Sequence, residues 1–250
     1  TENHLIRRVD FNNHTVSTLA GTGQQVRMFN IPGIGQEVAL NSPWDLLVMG
    51  ELVFIAMAGP HQIWIMDMNS LRLEPFAGTG QEARLDGPRT EAAFAQPSGL
   101  TSNGKFLYVA DSEISCVRSI NLETGEVHTV VGGNLFQFGD EDGKGDFVRL
   151  QHPLDVACRE GIVYLADTYN HKIKRVWPET RECKSWLGTG KPGFHDGTSP
   201  EFYEPSGLAF ADDRLYIADT NNHKIRVVDL KTDDVSTLDI KGLGGDEHPV

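Results

Sequence analysis

The stretch LQHPLDVACREGIVYLADTYNHKIKRVWPETRECKSWLGTG, residues 150–190, contains four short apolar runs separated by polar turns. Three further stretches align beneath it, at residues 40–80, 94–133 and 202–240, and residues 1–23 match only its second half. Corresponding prolines mark the four full copies at Pro43, Pro97, Pro153 and Pro205, in steps of 54, 56 and 52 residues. A repeat of this period indicates an array of similar structural units.

Each copy is predicted to form four strands and no helix. In the last copy the runs GLAFA, RLYIAD, KIRVVDL and VSTLDI are rich in β-branched and aromatic residues and are separated by polar turn clusters. Four strands joined by tight turns form an antiparallel meander that cannot bury both of its faces, so neighbouring copies must stack around an axis. The sequence therefore predicts an all-β propeller over residues 1–240, with four full blades, one half blade and a polar C-terminal tail at 241–250.

The turn after the second predicted strand carries a resemblance to a known family. Asn170-His171-Lys172-Ile173 recurs as Asn222-His223-Lys224-Ile225 and as Asn3-His4-Leu5-Ile6, which is the signature of NHL repeats. Together with the motifs SPWD, FAQPSGL, NLFQFGDEDGKGD and LQHP, it makes residues 1–240 resemble the propeller of multidomain proteins that join a thioredoxin-like domain to NHL repeats. The motif departs from this pattern in two copies, which read AMAGPHQI and ADSEISCV.

The resemblance implies a six-bladed ring, of which about 4.5 blades are present. The missing part corresponds to roughly 80 residues at this period. The chain begins with Thr1 inside a repeat. We therefore expect upstream sequence or another chain to complete the ring, with a thioredoxin-like domain as a further partner. The relatives occur in the cytoplasm or in the chloroplast lumen, and the sequence does not choose between these compartments.

Composition narrows the function classes. The net charge is −13, from 22 basic and 35 acidic residues, which argues against the RNA-binding function of some NHL propellers because phosphate recognition needs a basic surface. No apolar stretch approaches the 18 or more residues that span a bilayer. The three cysteines, Cys116, Cys158 and Cys183, lack C-x-x-C spacing, so neither a redox motif nor a disulfide framework is predicted.

The polar turn residues are predicted to be structural. Aspartate and asparagine side chains readily hydrogen-bond nearby backbone N–H groups, and the histidines are expected to fix the turn against the neighbouring blade. An alternative is a ring of histidines that binds metal, as in an NHL-like lyase. That alternative is less favoured because the residues recur in the copies instead of converging once. The predicted turn residues are Asp111, Asp167, Asn170, His171, Asp219, Asn222 and His223.

The start of each first strand is predicted to lie at the mouth of the central channel. The two residues that follow the blade proline end in aspartate in the first and third full copies, as Trp44-Asp45 and Leu154-Asp155. In the second and fourth copies they are Ser-Gly pairs. Two like charges near a narrow mouth could recruit a cation or shift a pKa, whereas the simpler interpretation is that each aspartate binds a backbone N–H at the strand end. The predicted mouth residues are Trp44, Asp45, Ser98, Asp155 and Ser206.

The segment 140–146 resembles part of a calcium-binding loop. Asp140, Asp142 and Asp146 supply carboxylates near two glycines, but the distal bidentate glutamate of an EF-hand is missing. No cofactor is expected otherwise, and the alternative is a solvated acidic loop. Aromatic residues also cluster near the blade connections, where they either seal the blades or form a docking surface. They are Trp44, Trp64, Phe94, Phe136, Phe138, Phe194 and Tyr203.

These patterns favour a non-catalytic propeller that serves as a rigid platform for protein partners. The sequence contains no evident set of nucleophile, base and orienting group. An alternative is a metal-assisted hydrolase or lyase that uses the channel mouth around Asp45 and Asp155. Any redox activity of a larger protein would belong to a thioredoxin-like domain outside this chain.

Overall fold

The computed structural model describes residues 2–26 and 31–240, and every regular sheet in these ranges is antiparallel. A two-stranded hairpin comes first, followed by four blades of four strands. The hairpin consists of Ile6–Asp10 (β1) and Thr15–Ala20 (β2). The predicted tail at 241–250 lies outside the described residues.

Each blade is a meander whose strands are paired in chain order, from the inner to the outer strand. Blade 1 contains Pro43–Met49 (β4), Leu52–Met57 (β5), Gln62–Asp67 (β6) and Arg72–Ala77 (β7). Blade 2 contains Pro97–Ser102 (β9), Phe106–Asp111 (β10), Cys116–Asn121 (β11) and Glu126–Gly132 (β12). Blade 3 contains Asp155–Arg159 (β14), Ile162–Asp167 (β15), Lys172–Trp177 (β16) and Glu182–Leu187 (β17). Blade 4 contains Pro205–Ala211 (β18), Arg214–Asp219 (β19), Lys224–Asp229 (β20) and Asp234–Thr237 (β21).

The connections before the first three blades add a short fifth strand that the repeat pattern does not reveal. These strands are Gly33–Ile34 (β3), Gly87–Pro88 (β8) and Gly143–Lys144 (β13), and each pairs with the outermost strand of the blade that follows. The described 3₁₀ turns are Gly35–Glu37, Gly145–Phe147, Thr168–Asn170 and Thr220–Asn222. The short strands β3, β8 and β13 cover part of the outermost strand of blades 1, 2 and 3, whose backbone groups would otherwise be unpaired along that edge.

The hydrophobic core lies between successive blades, because each apolar cluster draws its side chains from two neighbouring sheets. The inner strand β9 is buried along almost its whole length, whereas β4 alternates between covered and exposed residues, with Val48 61% exposed. An inner strand is thus buried only where it has a neighbouring blade on both sides.

The predicted all-β propeller class is confirmed. The blade count differs slightly from the predicted 4.5, because four complete blades stand beside a separate two-stranded sheet. The six-bladed ring stays a prediction.

Candidate functional site

Buried carboxylates end the second strands of blades 2, 3 and 4. In blade 4, Asp219 accepts hydrogen bonds from the backbone N–H of Tyr203 at 2.8 Å, Asn222 Nδ2 at 2.9 Å and Arg226 Nη1 at 2.7 Å. Each of these aspartates has a cation seven residues later: Asp111–Arg118 at 3.1 Å, Asp167–Lys174 at 3.3 Å and Asp219–Arg226 at 2.7 Å. Because a buried carboxylate without a partner is costly, these ion pairs hold the turn and the blade core together.

The cations were missed at the sequence level, although a signal was present in the constant spacing of seven residues between aspartate and base. Asn170 completes the turn in blade 3, where Nδ2 donates to the Asp167 carboxylate at 2.8 Å and to the carbonyl of Gly139 at 2.6 Å. Asn222 makes the equivalent contacts in blade 4.

Histidines join the hairpin to blade 1, blade 1 to blade 2 and blade 3 to blade 4 through a contact that we call the clasp. His171 adopts a left-handed conformation with φ of 55°, and its Nδ1 accepts the backbone N–H of Glu204 in the next blade at 3.1 Å. Burial lowers the pKa of His171, which favours the neutral ring that this role requires. The same clasp joins His4 to Ser42 at 3.0 Å and His61 to Gln96 at 3.1 Å.

The clasp is absent or altered in two places. Ser115 replaces the histidine between blades 2 and 3, and its Oγ accepts the N–H of His152 at 3.2 Å. His223 occupies the equivalent position in blade 4, but its side chain makes no hydrogen bond to any residue in the described part of the chain.

The two mouth aspartates also bind backbone groups of the following blade. Asp45 accepts the N–H of Leu100 at 2.7 Å, and Asp155 accepts the N–H of Leu208 at 2.7 Å. The other oxygen of each carboxylate accepts the N–H of the residue after it at 2.8 Å. A Cβ at Gly99 would lie 2.5 Å from Asp155 Oδ1, so the glycine at this position of blade 2 leaves room for the carboxylate of blade 3.

Burial raises the pKa of Asp155 to about 7, and the nearby Asp45 carboxylate raises it further. Burial also raises the pKa of Asp45. Both oxygens of each carboxylate already accept backbone N–H groups, so the aspartates serve to join blades in this structure. Neither side chain lines the mouth cavity.

The mouth itself is a cavity of about 370 Å³ lined by Trp44, Ser98, Leu154 and Ser206. The structure thus brings three of the five predicted mouth residues together. Ser98 Oγ lies 2.7 Å from Ser112 Oγ, and Ser206 Oγ lies 2.5 Å from Thr220 Oγ1. Neutral groups line the cavity, and its two serine hydroxyls are engaged with those of Ser112 and Thr220.

A second cavity of about 370 Å³ lies between blades 1 and 2, and Trp44 lines both cavities. We call this second cavity the Trp44 cleft. It is lined by Gln25, Asn41, Ser42, Trp44, Ala58, Gly59, His61, Glu82 and Gln96. Sequence reasoning missed Glu82 and Gln96 as site residues, because both lie in connections where no periodic pattern places them.

The predicted aromatic residues divide into two groups. Trp64 and Phe94 are fully buried and seal the blades. The exposed group lies in the first strand of blade 1 or in the blade connections. Its members are Trp44 (40% exposed), Phe136 (90%), Phe138, Phe194 and Tyr203.

These exposed aromatics lie at the end of the blades that also carries the clasps, which we call the connection face. The first-to-second and third-to-fourth strand turns form the opposite end, the turn face. Its first-to-second turns are short and polar, at Gly50-Glu51, Asn103–Lys105, Glu160-Gly161 and Asp212-Asp213.

The carboxylates of the predicted calcium loop contact basic and polar protein groups. Asp140 binds Lys172 Nζ at 2.5 Å and Lys174 Nζ at 2.7 Å. Asp142 accepts from Ser185, and Asp146 pairs with arginine side chains. Within residues 2–26 and 31–240, no three His, Cys, Asp or Glu side chains are grouped to hold a metal ion.

No helix in the described part of the chain is long and apolar enough to cross a membrane.

Comparisons with known proteins agree with this architecture. The NHL repeat matches residues 202–228. Protein SUPPRESSOR OF QUENCHING 1, chloroplastic, from Arabidopsis thaliana is 44% identical over 97% of this chain, and NHL repeat-containing protein 2 from Homo sapiens is 42% identical over 96%. The chain spans 25% and 38% of these relatives, respectively.

Among solved structures, a chain of the Nidogen/Laminin complex superimposes with a TM-score of 0.64 at 13% identity, covering 94% of this chain and 71% of that one. Virginiamycin B lyase from Staphylococcus aureus gives a TM-score of 0.56 at 10% identity, covering 96% and 64%. At these identities the likeness concerns the fold alone.

Proposed function

We propose that this chain, an NHL-repeat β-propeller, is a non-catalytic scaffold whose connection face binds a protein partner. The observation that carries the proposal is the exposure of large aromatic side chains on that face. Phe136 is 90% exposed and adopts φ of 66°, a left-handed conformation that is unfavourable for a bulky residue. Exposed large aromatic side chains on one face are typical of protein-binding surfaces.

The buried polar groups support a structural role for the rest of the repeat. The aspartates of the channel mouth bind backbone N–H groups, and those after the second strands bind cations. Their hydrogen-bonding capacity is therefore used within and between blades. An acidic chain also offers little to a phosphate backbone, which disfavours RNA as the partner.

The partner that we propose is a thioredoxin-like domain, as the resemblance to proteins that combine such a domain with NHL repeats suggests. Blade 4 offers a second kind of contact, because His223 occupies a clasp position without a described partner. A neighbouring blade from further sequence or from another chain would supply the missing N–H donor.

The test uses the chain together with the thioredoxin-like domain of a long relative. Calorimetry measures binding, and hydrogen exchange maps the protected segments. We expect protection of the connections that contain Phe136 and Tyr203, and we expect Phe136→Ser to weaken binding. Met68→Ser is the matched control, since Met68 is an exposed apolar residue (39%) on the turn face. Protection confined to the turn face, or equal effects of both variants, would overturn the proposal.

A further inference from the structure

Trp44 stands out among the four equivalent positions at the channel mouth. Ser98, Leu154 and Ser206 occupy the other three, and all four side chains line the mouth cavity. Only Trp44 also forms a wall of the Trp44 cleft, so its indole lies between two cavities. An aromatic side chain that stays 40% exposed in such a place is available to a ligand.

The charge of the Trp44 cleft is negative. Glu82 is exposed and is the only carboxylate among the lining residues, which include no lysine or arginine. His61 is held neutral, because burial lowers its pKa and its Nδ1 accepts the N–H of Gln96. The Glu113 carboxylate lies close enough to act on His61 and adds to the negative field.

The remaining polar groups of the cleft are partly committed to one another. Asn41 Oδ1 accepts hydrogen bonds from Gln25 Nε2 at 2.9 Å and from Ser42 Oγ at 3.2 Å. The backbone N–H groups of Ser42 and Gln96 are used in clasps. Of the lining groups, the Trp44 ring and the Glu82 carboxylate therefore offer the clearest unspent interactions.

We propose that the Trp44 cleft binds a cationic side chain, an arginine or a lysine, of a protein partner. The cation stacks on the Trp44 ring and pairs with the Glu82 carboxylate. A tryptophan face is the strongest natural platform for a cation, and arginine adds stacking and bidentate hydrogen bonds to this attraction. This inference rests on the proposed function, because it names the chemistry of the partner at the connection face.

The same pairing already occurs within this fold. The guanidinium of Arg175 lies 3.8 Å from the ring centre of Trp186, and that of Arg226 lies 4.9 Å from the ring centre of Phe194. The net charge of −13 also favours the approach of a basic segment over that of an acidic one. Trp44 offers to an external cation the kind of surface that Trp186 provides internally.

The test compares two short Gly/Ser peptides that differ only in their central residues. One carries two arginines, and its twin carries citrulline, which keeps the shape of arginine without the charge. Calorimetry and the change in tryptophan fluorescence on titration report binding. We expect the arginine peptide to bind with an affinity that falls as salt rises. We expect the citrulline peptide to bind roughly tenfold more weakly, because it loses the cation–π contact and the ion pair.

Variants locate the site. Trp44→Ala is expected to weaken binding of the arginine peptide by about 2- to 30-fold, with Trp44→Phe intermediate. Glu82→Gln is expected to weaken it by roughly 2- to 5-fold, as for a partly exposed ion pair. Met68→Ser on the turn face is expected to leave the affinity unchanged, and circular dichroism confirms that each variant is folded. Equal binding of the two peptides, or an affinity unaffected by Trp44→Ala, would overturn the inference.

The thioredoxin-like domain separates this inference from the proposed function. Suppose that the domain protects the connection face from hydrogen exchange and yet binds the double variant Trp44→Ala/Glu82→Gln as tightly as the unchanged chain. In that case the cation site is wrong and the scaffold function stands. If the domain protects only the turn face, the scaffold function is wrong, and the peptide titration alone decides whether the cleft binds cations.

Discussion

Blades 1 and 3 have the same strand order, but one pair of buried positions holds an ion pair in blade 3 and two apolar side chains in blade 1. Blade 3 places Asp167 and Lys174 there, with 3.3 Å between Oδ2 and Nζ. Blade 1 places Met57 and Trp64 at the equivalent positions, also seven residues apart. All four side chains are fully inaccessible to solvent. The position therefore requires two residues that complement one another, and an apolar pair meets this requirement as well as an ion pair does.

The junctions that follow these two blades also differ at the residue after the second strand. Thr168 Oγ1 donates to the carbonyl of Pro205 at 2.8 Å and links blade 3 to blade 4. Ala58 occupies the same position in blade 1 and has no hydroxyl to offer Pro97. Blade 1 thus depends more on packing, and blade 3 depends more on directed polar contacts.

The largest effect is expected from substituting methionine at the two equivalent core positions. Lys174→Met leaves the buried Asp167 carboxylate without its cation, which should lower the free energy of unfolding by about 3–5 kcal/mol. Trp64→Met keeps an apolar side chain and leaves a cavity, so we expect a loss of about 1–3 kcal/mol. Denaturant unfolding of both variants measures the difference, and a larger loss for Trp64→Met would contradict the contrast between the blades.

An intermediate effect is expected from pH, because Asp155 in blade 3 is more deeply buried than Asp45 in blade 1. The pKa of Asp155 is raised from 3.8 to about 7 on folding, so the folded state holds a proton that the unfolded state has lost. This contribution to stability is complete below pH 3.8 and disappears as pH rises through 7. We expect the free energy of unfolding to fall by about 2 kcal/mol between roughly pH 5.5 and pH 8 as this contribution is lost.

Unfolding of matched variants at several pH values tests this contribution. Asp155→Asn should remove it. Asp45→Asn should reduce it only in part, by removing a like charge that raises the pKa of Asp155. An unchanged pH dependence in Asp155→Asn would show that another group is responsible.

The smallest effect is expected at the hydroxyl position that differs between the two junctions. Thr168→Val keeps the shape of the side chain and removes the bond to Pro205, at a cost of about 1 kcal/mol. Ala58→Ser adds a hydroxyl within reach of the next blade and should stabilise the chain by up to about 1 kcal/mol. Thermal unfolding measures both changes, and a destabilising Ala58→Ser would show that blade 1 lacks room for this contact.

The repeat was predictable because its apolar alternation and turn residues are local features of the chain. The same locality explains why Trp44, Ser98 and Ser206 could be grouped at one mouth. Contacts across connections were not predictable. The spacing of seven residues could have indicated the pair of Arg118 with Asp111, but no local pattern indicates that Arg118 also binds the backbone of distant loop residues. Glu82 had no periodic neighbour to indicate its place beside Trp44.

The clasps also have a kinetic consequence. They join residues only 33 to 38 positions apart in the chain, as in His171 with Glu204 and His4 with Ser42. The entropy cost of closing a loop rises with its length, and contacts of shorter sequence separation favour faster folding. A newly formed blade can therefore serve as the template for its successor, so that order spreads along the chain during synthesis before the distant strands are available.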